Sequence, residues 1–442
     1  MLGRRVDDRA AVLAVVGLGY VGLPAASLFA AAGFEVIGVE RNDGRRRTIA
    51  QGDVPLEGDE PGLPELLKRV VAAGKLRVTG DAAALSSADI VLVCVETPVA
   101  EDHLPRYEAL RAACRDIGTF MRPGTVVIVE STIAPGTMDR VVRPALEDVS
   151  RKVSGRDFHI GHCPERVMPG KLVKNMRTMS RVCGGDDAAT AELIKRLYSA
   201  VVEASLDTSD MVTAEVVKTA ENAYRDVNIA FANEVALICE AVGADAGRVR
   251  ELVNKSPGRH MLVPGAGVGG HCIPKDPWLL VASVDGKEEI RLIPAARAVN
   301  DSMPRHVADL VADGLAAYGR STNGATVAVL GYSYLENTGD VRNSPSVTLV
   351  EELKRRGAEV RVHDPFVPGL GGDYRAAVRS ADAIALVVAH DEYRVLPLAE
   401  LREIMRTPVL VDGRGVVAAR SARDVGFTYF AVGLPRFDGH SR

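Results

Sequence analysis

Short apolar runs, most of them followed by glycine, proline or threonine, recur along the first third of the chain. Val12–Val16 and Glu35–Val39 are two such runs, and a stretch rich in alanine, leucine and phenylalanine lies between them. The same kind of run returns within residues 88–98 and 124–137. Continuous apolar runs of this length are typical of buried parallel strands. Their alternation with helical stretches predicts an open, doubly wound α/β sheet.

The last third of the chain repeats this pattern. TVAVLGYSY at residues 326–334 resembles the earlier VLAVVGLGY, and RRGAEVRVHDP at 355–365 resembles AAGFEVIGVER. SADAIALVVAHDEY at 380–393 resembles SADIVLVCVETP. A second doubly wound sheet is therefore predicted. It lacks GxGxxG, so we expect it to bind something other than a second dinucleotide.

A different pattern fills the middle of the chain. Residues 210–245 contain no proline, their apolar positions recur at helical spacing, and Gly243 offers a stop. We predict a helix of roughly thirty residues that connects the two sheets and contacts a second subunit, with an ordinary buried helix as the alternative. The expected class is α/β, with two Rossmann-like doubly wound domains joined by a long central helix. The predicted boundaries are 1–208, 209–312 and 313–442.

Composition narrows the function classes. The chain has 442 residues, enough for two or three domains, and its net charge of -4 argues against general nucleic-acid binding. It contains no apolar segment of about 18 residues, so no membrane span is predicted. Its six cysteines are scattered, without a CxxC pair or zinc spacing, which favours free thiols in a reducing, cytoplasmic compartment and no metal site.

The first apolar run leads into a glycine-rich turn. Gly17, Gly19 and Gly22 form GxGxxG between a predicted strand and a predicted helix, the context of a dinucleotide site. Glu40 follows the second strand, eighteen residues beyond Gly22, where a carboxylate accepts hydrogen bonds from a ribose hydroxyl and repels a 2'-phosphate. NAD is therefore favoured over NADP, although Arg41 and the arginines at 45–47 leave NADP open.

Two threonines stand at predicted strand ends, where ligands of open α/β sheets bind. Thr97 and Thr132 are accordingly candidates to line the cofactor cleft, against simple strand termination. The predicted cofactor-binding residues are Gly17, Gly19, Tyr20, Val21, Gly22, Glu40, Arg45, Thr97 and Thr132.

GVGGHCIPKD, at 267–276, sets three glycines beside Cys272. Either the glycines admit a ligand to a nucleophilic thiol, or the cysteine is buried and inert. Lys218 and Asn222 are four residues apart on the predicted long helix, and Arg225 continues their face, unless that face is simply solvated.

These groups suit one reaction, the oxidation of an alcohol through an aldehyde and a thioester to an acid. It needs a cysteine nucleophile, donors for an oxyanion and carboxylates that manage protons and water. Cys272, Lys218 with Asn222, and Glu165 with Asp276 could supply them.

The chain resembles the UDP-glucose/GDP-mannose dehydrogenase family almost end to end. The resemblance rests on GLGYVG, the TP at 97–98, STIAPGT, CPERVMPG, EVVKTAENAYRDVNIAFANE, PGAGVGGHCIPKD and GDVRNSPS. It implies an N-terminal NAD domain, a central dimerising helix and a C-terminal domain that binds the UDP part. It also implies oxidation of a sugar C6 alcohol to the acid with two NAD and no metal, in a homodimer or higher homo-oligomer.

The resemblance also implies residue roles. Cys272 would be the nucleophile, Lys218 and Asn222 would hold the oxyanion, and Asp276 would orient water or Lys218. Glu165 would be the base for hydrolysis, with Thr132 steadying a water. The substrate-binding residues would be Arg166, Val167, Lys218, Asn222, Arg225, Arg259, His260, Gly269, Tyr334, Arg342 and Arg414.

The expected substrate is a UDP-N-acetylhexosamine. PERVMPG and GGHC resemble that branch of the family, and Pro169 stands where the UDP-glucose branch has a second carboxylate. UDP-N-acetylmannosamine is favoured, with UDP-N-acetylglucosamine and UDP-glucose as alternatives. Two residues depart from the family pattern: Leu335 replaces a lysine that contacts the nucleotide sugar, and Glu96 replaces a proline.

Two rival functions remain open. A two-electron β-hydroxyacid dehydrogenase also joins a Rossmann domain to a helix bearing Lys-x-x-x-Asn, but it needs neither GGHC nor residues 320–442. A non-catalytic sensor of NAD or nucleotides need not keep Cys272, Lys218 and Asn222 together.

Overall fold

The computed structural model describes residues 2–56, 58 and 60–435. The chain forms two compact units. The first contains the residues up to Glu221 together with Trp278–Glu288, and the second contains Asn222–Pro277 together with the residues from Glu289 onward.

The strands fall into two sheets. In chain order they are β1 (Val12–Val16), β2 (Glu35–Val39), β3 (Leu76–Thr79), β4 (Ile90–Val93), β5 (Val126–Val129), β6 (His159–His162), β7 (Arg181–Gly185), β8 (Leu206–Asp210), β9 (Thr326–Leu330), β10 (Glu359–His363), β11 (Ala383–Leu386), β12 (Val409–Asp412) and β13 (Thr428–Ala431).

The helices connect and cover these strands. They are α1 (Leu2–Asp7), α2 (Gly22–Ala31), α3 (Asp43–Ala50), α4 (Leu63–Ala72), α5 (Glu108–Phe120), α6 (Arg143–Ser150), α7 (Leu172–Thr178), α8 (Ala188–Tyr198), α9 (Met211–Val242), α10 (Ala246–Val253), α11 (Asp276–Ala282), α12 (Leu292–Ala316), α13 (Pro345–Arg355), α14 (Tyr374–Val378), α15 (Leu398–Ile404) and α16 (Ala419–Asp424).

The first sheet has eight strands in the order β3-β2-β1-β4-β5-β6-β7-β8. Its first six strands follow the Rossmann order, in which a ligand lies at the switch point beside β1. Strand β7 runs antiparallel to β6, and β8 runs parallel to β7. The first two predicted strands are confirmed with the same bounds, because after its first residue each strand is buried on both faces by residues without charge.

Helix α2 packs into the core of this sheet. It begins at Gly22 with a proline in its first turn, and its residues through Ala30 are buried. Phe29 packs edge-on against Phe34 and Tyr198, with ring centroids 5.9 and 5.5 Å away. This packing holds the N-terminus of α2 beside the glycine turn.

The second sheet confirms the prediction from the sequence repeat. Its five strands are all parallel and follow the order β10-β9-β11-β12-β13, the flavodoxin-like doubly wound arrangement. The apolar cores on its two faces are built around residues such as Val327, Leu349, Leu386 and Leu410.

The predicted long helix is α9, which runs over 32 residues. It ends before Gly243, whose φ of 82° is the left-handed conformation that stops a helix. The domain boundaries remain a prediction, and β8 crosses the one placed at 208/209. Within residues 2–56, 58 and 60–435, no helix combines the length and the apolar character needed to cross a bilayer.

Candidate active site

The glycine turn in the first unit has two tight positions and one open position. Gly17 has φ 89°, and a Cβ there would stand 2.6 Å from the Cys94 carbonyl oxygen. A Cβ on Gly22 would stand 1.8 Å from the Gly17 carbonyl oxygen. At Gly19 no atom of the described residues, apart from its two chain neighbours, lies within 4 Å of the place of a Cβ. Gly17 and Gly22 thus shape the turn, whereas Gly19 leaves the room through which a ligand could approach the backbone.

Glu40 supports this turn from the end of β2. Its Oε2 accepts a hydrogen bond from the Leu18 N–H at 3.0 Å, and its Oε1 accepts one from the Asn42 N–H at 2.9 Å. Arg45 Nη1 lies 3.5 Å from Oε2. The carboxylate is therefore held in place next to the glycine turn, at the strand end where the sequence places a ribose contact.

The neighbouring strand ends are joined by the two predicted threonines. Thr97 Oγ1 donates to the Thr132 carbonyl oxygen at 2.6 Å, and both residues are buried. Arg41, which kept NADP open, forms an exposed ion pair with Asp116 at 2.8 Å. Tyr20 and Val21 lie between Gly19 and the start of α2. An open glycine position, a helix N-terminus and a fixed carboxylate together fit the pyrophosphate and ribose of a dinucleotide.

A buried ion pair lies in the same unit. Lys218 Nζ of α9 is 3.6 Å from Glu165 Oε1, and their side chains are only 6% and 7% exposed. Glu165 Oε2 accepts the Val167 N–H at 2.5 Å. Buried charges are costly unless they are paired, so each of these two side chains lowers the cost of burying the other. Arg166, a predicted substrate contact, binds Glu221 and Ser180 instead of pointing to open space.

Asn222 and Asp276 meet in the second unit. Asn222 Nδ2 donates to Asp276 Oδ2 at 2.5 Å, and Lys275 Nζ lies 3.2 Å from Asp276 Oδ1. Asp276 is completely buried. Cys272, which is half-buried, lies one turn earlier, and its carbonyl oxygen accepts the N–H groups of Lys275 and Asp276 at 3.1 and 2.9 Å. This turn leads directly into α11.

The glycines before Cys272 are explained mainly by packing of the chain on itself. A Cβ on Gly269 would stand 2.4 Å from Tyr334 Cβ and 2.8 Å from the Asn343 carbonyl oxygen. Gly270 has φ 90°, its N–H donates to the Arg342 carbonyl oxygen at 2.8 Å, and a Cβ there would meet the Tyr334 ring. These two glycines make room for the loop that follows β9. A ligand contact at Gly269 stays a prediction.

A cavity of about 330 Å³ lies in the second unit, where chain segments follow the carboxyl ends of β9, β11 and β12. Four of the predicted substrate residues line it, namely Arg225, Gly269, Tyr334 and Arg414. Leu335, the departure from the family pattern, lines it too.

The other seven predicted contacts lie outside this lining, and four of them, namely Arg166, Val167, Lys218 and Asn222, are described above. Arg259 and His260 are exposed, and Arg342 binds Asp340 through a two-pronged ion pair. Sequence reasoning missed Glu336, whose Oε1 accepts from Arg414 Nη2 at 3.1 Å. It also missed His162, which is completely buried three residues before Glu165. The only signal for His162 was a histidine at the end of a strand leading into CPER.

Comparison with known proteins defines the class. The UDP-glucose/GDP-mannose dehydrogenase family matches the chain with its NAD-binding domain at residues 11–202, its central domain at 212–302 and its UDP-binding domain at 328–419. The chain belongs to this family, and it is an NAD-dependent UDP-sugar dehydrogenase. The expectations of fold class, enzyme class and NAD as cofactor are confirmed.

Relatives match over nearly the whole chain. UDP-N-acetyl-D-mannosamine dehydrogenase of Pyrococcus horikoshii is 38% identical over 95% of this chain and 99% of its own length. NDP-N-acetyl-D-galactosaminuronic acid dehydrogenase of Ralstonia nicotianae is 34% identical over 95% and 99%. A solved structure of the Pyrococcus horikoshii enzyme superposes with a TM-score of 0.91 at 37% identity, covering 96% of this chain and 100% of that one.

Proposed function

We propose that the protein oxidises the C6 alcohol of UDP-N-acetyl-D-mannosamine to the uronic acid. The observation that carries this proposal is the match, over nearly all of both chains, to a UDP-N-acetyl-D-mannosamine dehydrogenase. The relative at 34% identity is named for an N-acetyl-D-galactosaminuronic acid, which is also an N-acetylated sugar. UDP-N-acetylglucosamine and UDP-glucose are therefore the substrates to test beside it.

The roles proposed for the side chains follow from their contacts. NAD, when bound, takes up the hydride removed from C6 in each of two oxidations. The Cys272 thiolate adds to the aldehyde carbon to give a thiohemiacetal, and the second oxidation leaves a thioester. Lys218, in its neutral amine form, accepts the proton of the C6 hydroxyl and becomes an ammonium, and the Asn222 amide donates to the oxyanion. The bond between Asn222 and Asp276 fixes the orientation of that amide.

Hydrolysis of the thioester needs a base and a water molecule. Glu165 is proposed as the base that removes a proton from water, which then displaces the Cys272 sulfur. Its carboxylate is already oriented by the Val167 N–H and the Lys218 ammonium. Thr132, joined to Thr97 through its carbonyl oxygen, keeps its own hydroxyl available to steady that water.

The cavity of the second unit is proposed to bind the uridine diphosphate. Arg225 and Arg414 line it and carry the positive charge that phosphates require. Before a ligand binds, Glu336 forms an ion pair with Arg414. The diphosphate would then replace this carboxylate as the partner of the guanidinium.

The decisive test is the number of NADH formed for each UDP-sugar consumed. The proposal expects two NADH from UDP-N-acetylmannosamine, with lower kcat/KM on UDP-N-acetylglucosamine and UDP-glucose. One NADH would support a hydroxyacid-type oxidation, and none would support a sensor. A higher kcat/KM on UDP-N-acetylglucosamine would overturn the choice of sugar and leave the reaction class intact.

A Cys272→Ser variant tests the covalent step. Serine is close in size but is a poor nucleophile and leaving group, so acid production should stall, with at most aldehyde or a covalent adduct detected by mass spectrometry. Cys239→Ser, at a buried thiol of α9, is the matched control and should keep the activity. Acid release near the normal rate by the Cys272 variant would disprove the mechanism.

Assembly as a homodimer through α9 is proposed as well. Tyr224, Phe231 and Ile238 recur every seven residues and are 73%, 56% and 54% exposed. Three other apolar residues of this helix, Ile229, Val235 and Leu237, are half-buried. Exposed aromatic side chains in a row are typical of protein interfaces. Sedimentation should show at least a dimer at micromolar concentration, and a monomer would refute this assignment.

A further inference from the structure

Four consecutive residues, 333–336, line the cavity proposed for the uridine diphosphate, and we call them the lining segment. They follow β9, whose neighbours in the sheet are β10 on one side and β11 on the other. The three strands are parallel, so the segments that follow their carboxyl ends meet at one edge of the sheet. Residues that follow β10 and β11 can therefore hold the lining segment from two sides.

Two buried side chains hold the two ends of the lining segment. Asp364, which follows β10, accepts the N–H groups of Tyr332 and Ser333 at 2.7 and 2.9 Å. His390, which follows β11, accepts the Asn337 N–H on its Nδ1 at 2.8 Å. Both Asp364 and His390 are completely buried. The lining segment thus begins and ends at a backbone N–H that a buried side chain binds.

The two anchors are also joined to each other. His390 Nε2 lies 3.0 Å from Asp364 Oδ2. Because Nδ1 accepts the Asn337 N–H, the proton of the ring is on Nε2, which donates to the carboxylate. The Phe366 ring packs against the imidazole with the ring centroids 5.0 Å apart. With both nitrogens bonded and one face covered, the imidazole keeps Nδ1 directed at Asn337.

A second contact at Asn337 is exposed to water. Its Nδ2 donates to Asp391 Oδ2 at 3.0 Å, and its Oδ1 accepts the Asp391 N–H at 3.1 Å. Water competes for such exposed bonds, whereas His390 is completely buried. Asn337 has φ 57°, a left-handed conformation that asparagine tolerates. The bond from its backbone to His390 is therefore the contact that matters most at this end of the lining segment.

We propose that His390 is a positioning residue for the uridine diphosphate, because its Nδ1 holds the Asn337 end of the lining segment in the conformation that shapes the cavity. The inference rests on the proposed function, in which this cavity takes the uridine diphosphate. A segment that is held before the ligand arrives need not be ordered on binding, so the affinity is higher. Glu336, the neighbour of Asn337, binds Arg414, so loss of the anchor also disturbs a guanidinium proposed to bind phosphate.

Two substitutions separate the two ring nitrogens. His390→Asn keeps an oxygen acceptor near Nδ1 for Asn337, but its amide is too short to reach Asp364. His390→Gln reaches Asp364 with its amide nitrogen and has no acceptor near Nδ1. We expect the glutamine variant to bind UDP about tenfold more weakly in isothermal titration, the scale of a buried N–H left without its acceptor. The asparagine variant should keep most of the affinity for UDP.

Stability should follow the opposite order. His390→Asn removes a donor from the buried Asp364 carboxylate, so it should have the lower melting temperature of the two variants. A merely structural histidine would instead make the affinity for UDP fall together with the melting temperature. In steady state, His390→Gln should raise KM for the UDP-sugar and leave kcat and KM for NAD nearly unchanged.

His306→Gln is the matched control. His306 lies on α12 in the same unit, and its Nε2 is 2.9 Å from Glu240 Oε1, away from the lining segment. This variant should lower the melting temperature and leave the affinity for UDP unchanged. If it weakens UDP binding as much as His390→Gln does, the loss reflects general destabilisation and the inference is wrong.

Hydrogen–deuterium exchange on the resting protein tests the anchor without a ligand. In wild type the Asn337 N–H should exchange slowly although Asn337 itself is exposed. Fast exchange there would overturn the inference even if neither variant folds. Exchange at this position should become faster in His390→Gln than in His390→Asn, and equal rates would contradict the inference as well.

An Arg414→Ala variant separates this inference from the proposed function. If Arg414→Ala binds UDP as tightly as wild type, the cavity is not the site of the uridine diphosphate, and the proposed function and the inference fail together. If Arg414→Ala binds UDP more weakly while His390→Gln keeps the wild-type affinity, only the inference about His390 is wrong.

Discussion

The two sheets begin in the same way and end in different binding sites. In the first, Gly17 follows β1, has φ 89°, and donates its N–H to the Val39 carbonyl oxygen at 2.9 Å. In the second, Gly331 follows β9, has φ 98°, and donates to the His363 carbonyl oxygen at 2.8 Å. In both units, the turn after the first strand therefore rests on a glycine of positive φ whose N–H binds the carbonyl oxygen at the end of the second strand.

The acid after the second strand makes the difference. Glu40 binds one N–H of the glycine turn and one of its own loop. Asp364 in the second sheet is completely buried and binds more groups. It accepts the N–H groups of Tyr332, Ser333 and Phe366 at 2.7 to 2.9 Å, and His390 Nε2 lies 3.0 Å away.

These contacts decide what each acid can do. Burial alone would raise the pKa of Asp364, but the hydrogen bonds from His390 and from three backbone N–H groups hold it well below its usual range. A carboxylate that already accepts these hydrogen bonds cannot also accept hydrogen bonds from a ribose. The same α/β frame therefore carries a dinucleotide site in one unit, whereas in the other its acid fixes the loop that lines the cavity of Tyr334 and Arg414.

The largest effect is expected from Asp364→Ala. It leaves three backbone donors and His390 without their acceptor, which should cost about 3–5 kcal/mol in free energy of unfolding. Urea denaturation measures this cost. Glu40→Ala is the matched control at the equivalent strand end and should cost much less. Equal costs would show that the two acids play the same structural part.

Gly331→Ala should also destabilise the second unit. The added Cβ would stand 2.5 Å from the Val388 Cβ, at a φ that only glycine adopts easily. We expect a loss of about 1–3 kcal/mol in the free energy of unfolding, seen as a lower melting temperature. A melting temperature equal to that of wild type would mean that the β9 turn is not constrained as described.

Glu40→Ala should act on cofactor affinity. Loss of a charged acceptor weakens NAD binding by about 1.5–3 kcal/mol, roughly tenfold or more, and narrows the gap to NADP. Isothermal titration with both cofactors measures the change, and UDP binding serves as the internal control because Glu40 belongs to the other unit. If unmodified protein already binds NADP as well as NAD, the assignment of Glu40 is wrong.

Gly19→Ala sharpens the contrast with Gly331. No atom lies within 4 Å of its added methyl, so the melting temperature should stay the same. NAD affinity should nevertheless fall roughly tenfold, about 1.4 kcal/mol, because the methyl fills the open side of the turn. If the affinity for NAD is unchanged, the cofactor does not bind beside this glycine.

A further contrast is a dependence of stability on pH at Glu215 of α9. Burial raises its pKa to about 7, even though its carboxylate accepts the N–H groups of Met138 and Gly136. A pKa raised in the fold means that stability falls as pH rises from about 4.5 to 7. Relative to Glu215→Gln, wild type should lose about 3 kcal/mol over that range, measured by urea denaturation. If the difference in free energy of unfolding between wild type and Glu215→Gln does not change with pH, the pKa of Glu215 is not raised.

Local pattern alone determined the framework of this protein. Apolar runs gave the bounds of β1 and β2, because a strand buried on both faces needs apolar residues at every position. The turn glycines and the 3.6-residue period likewise located the GxGxxG turn and α9. The combination of motifs identified the family, since several motifs that contain glycine or cysteine resemble the same family.

Tertiary structure decided which groups meet. Glu40 and Asp364 look alike in sequence, but contacts with residues such as His390, 26 positions away, make one a ligand candidate and the other a structural anchor. The glycines at 269 and 270 read as room for a ligand, yet Tyr334 and Asn343 fill much of it. His162 carried only the signal of a histidine just before CPER, because its contact with the Val129 carbonyl oxygen forms only in the folded sheet. Such partners are brought together only when distant strands and helices pack, and no local period encodes them.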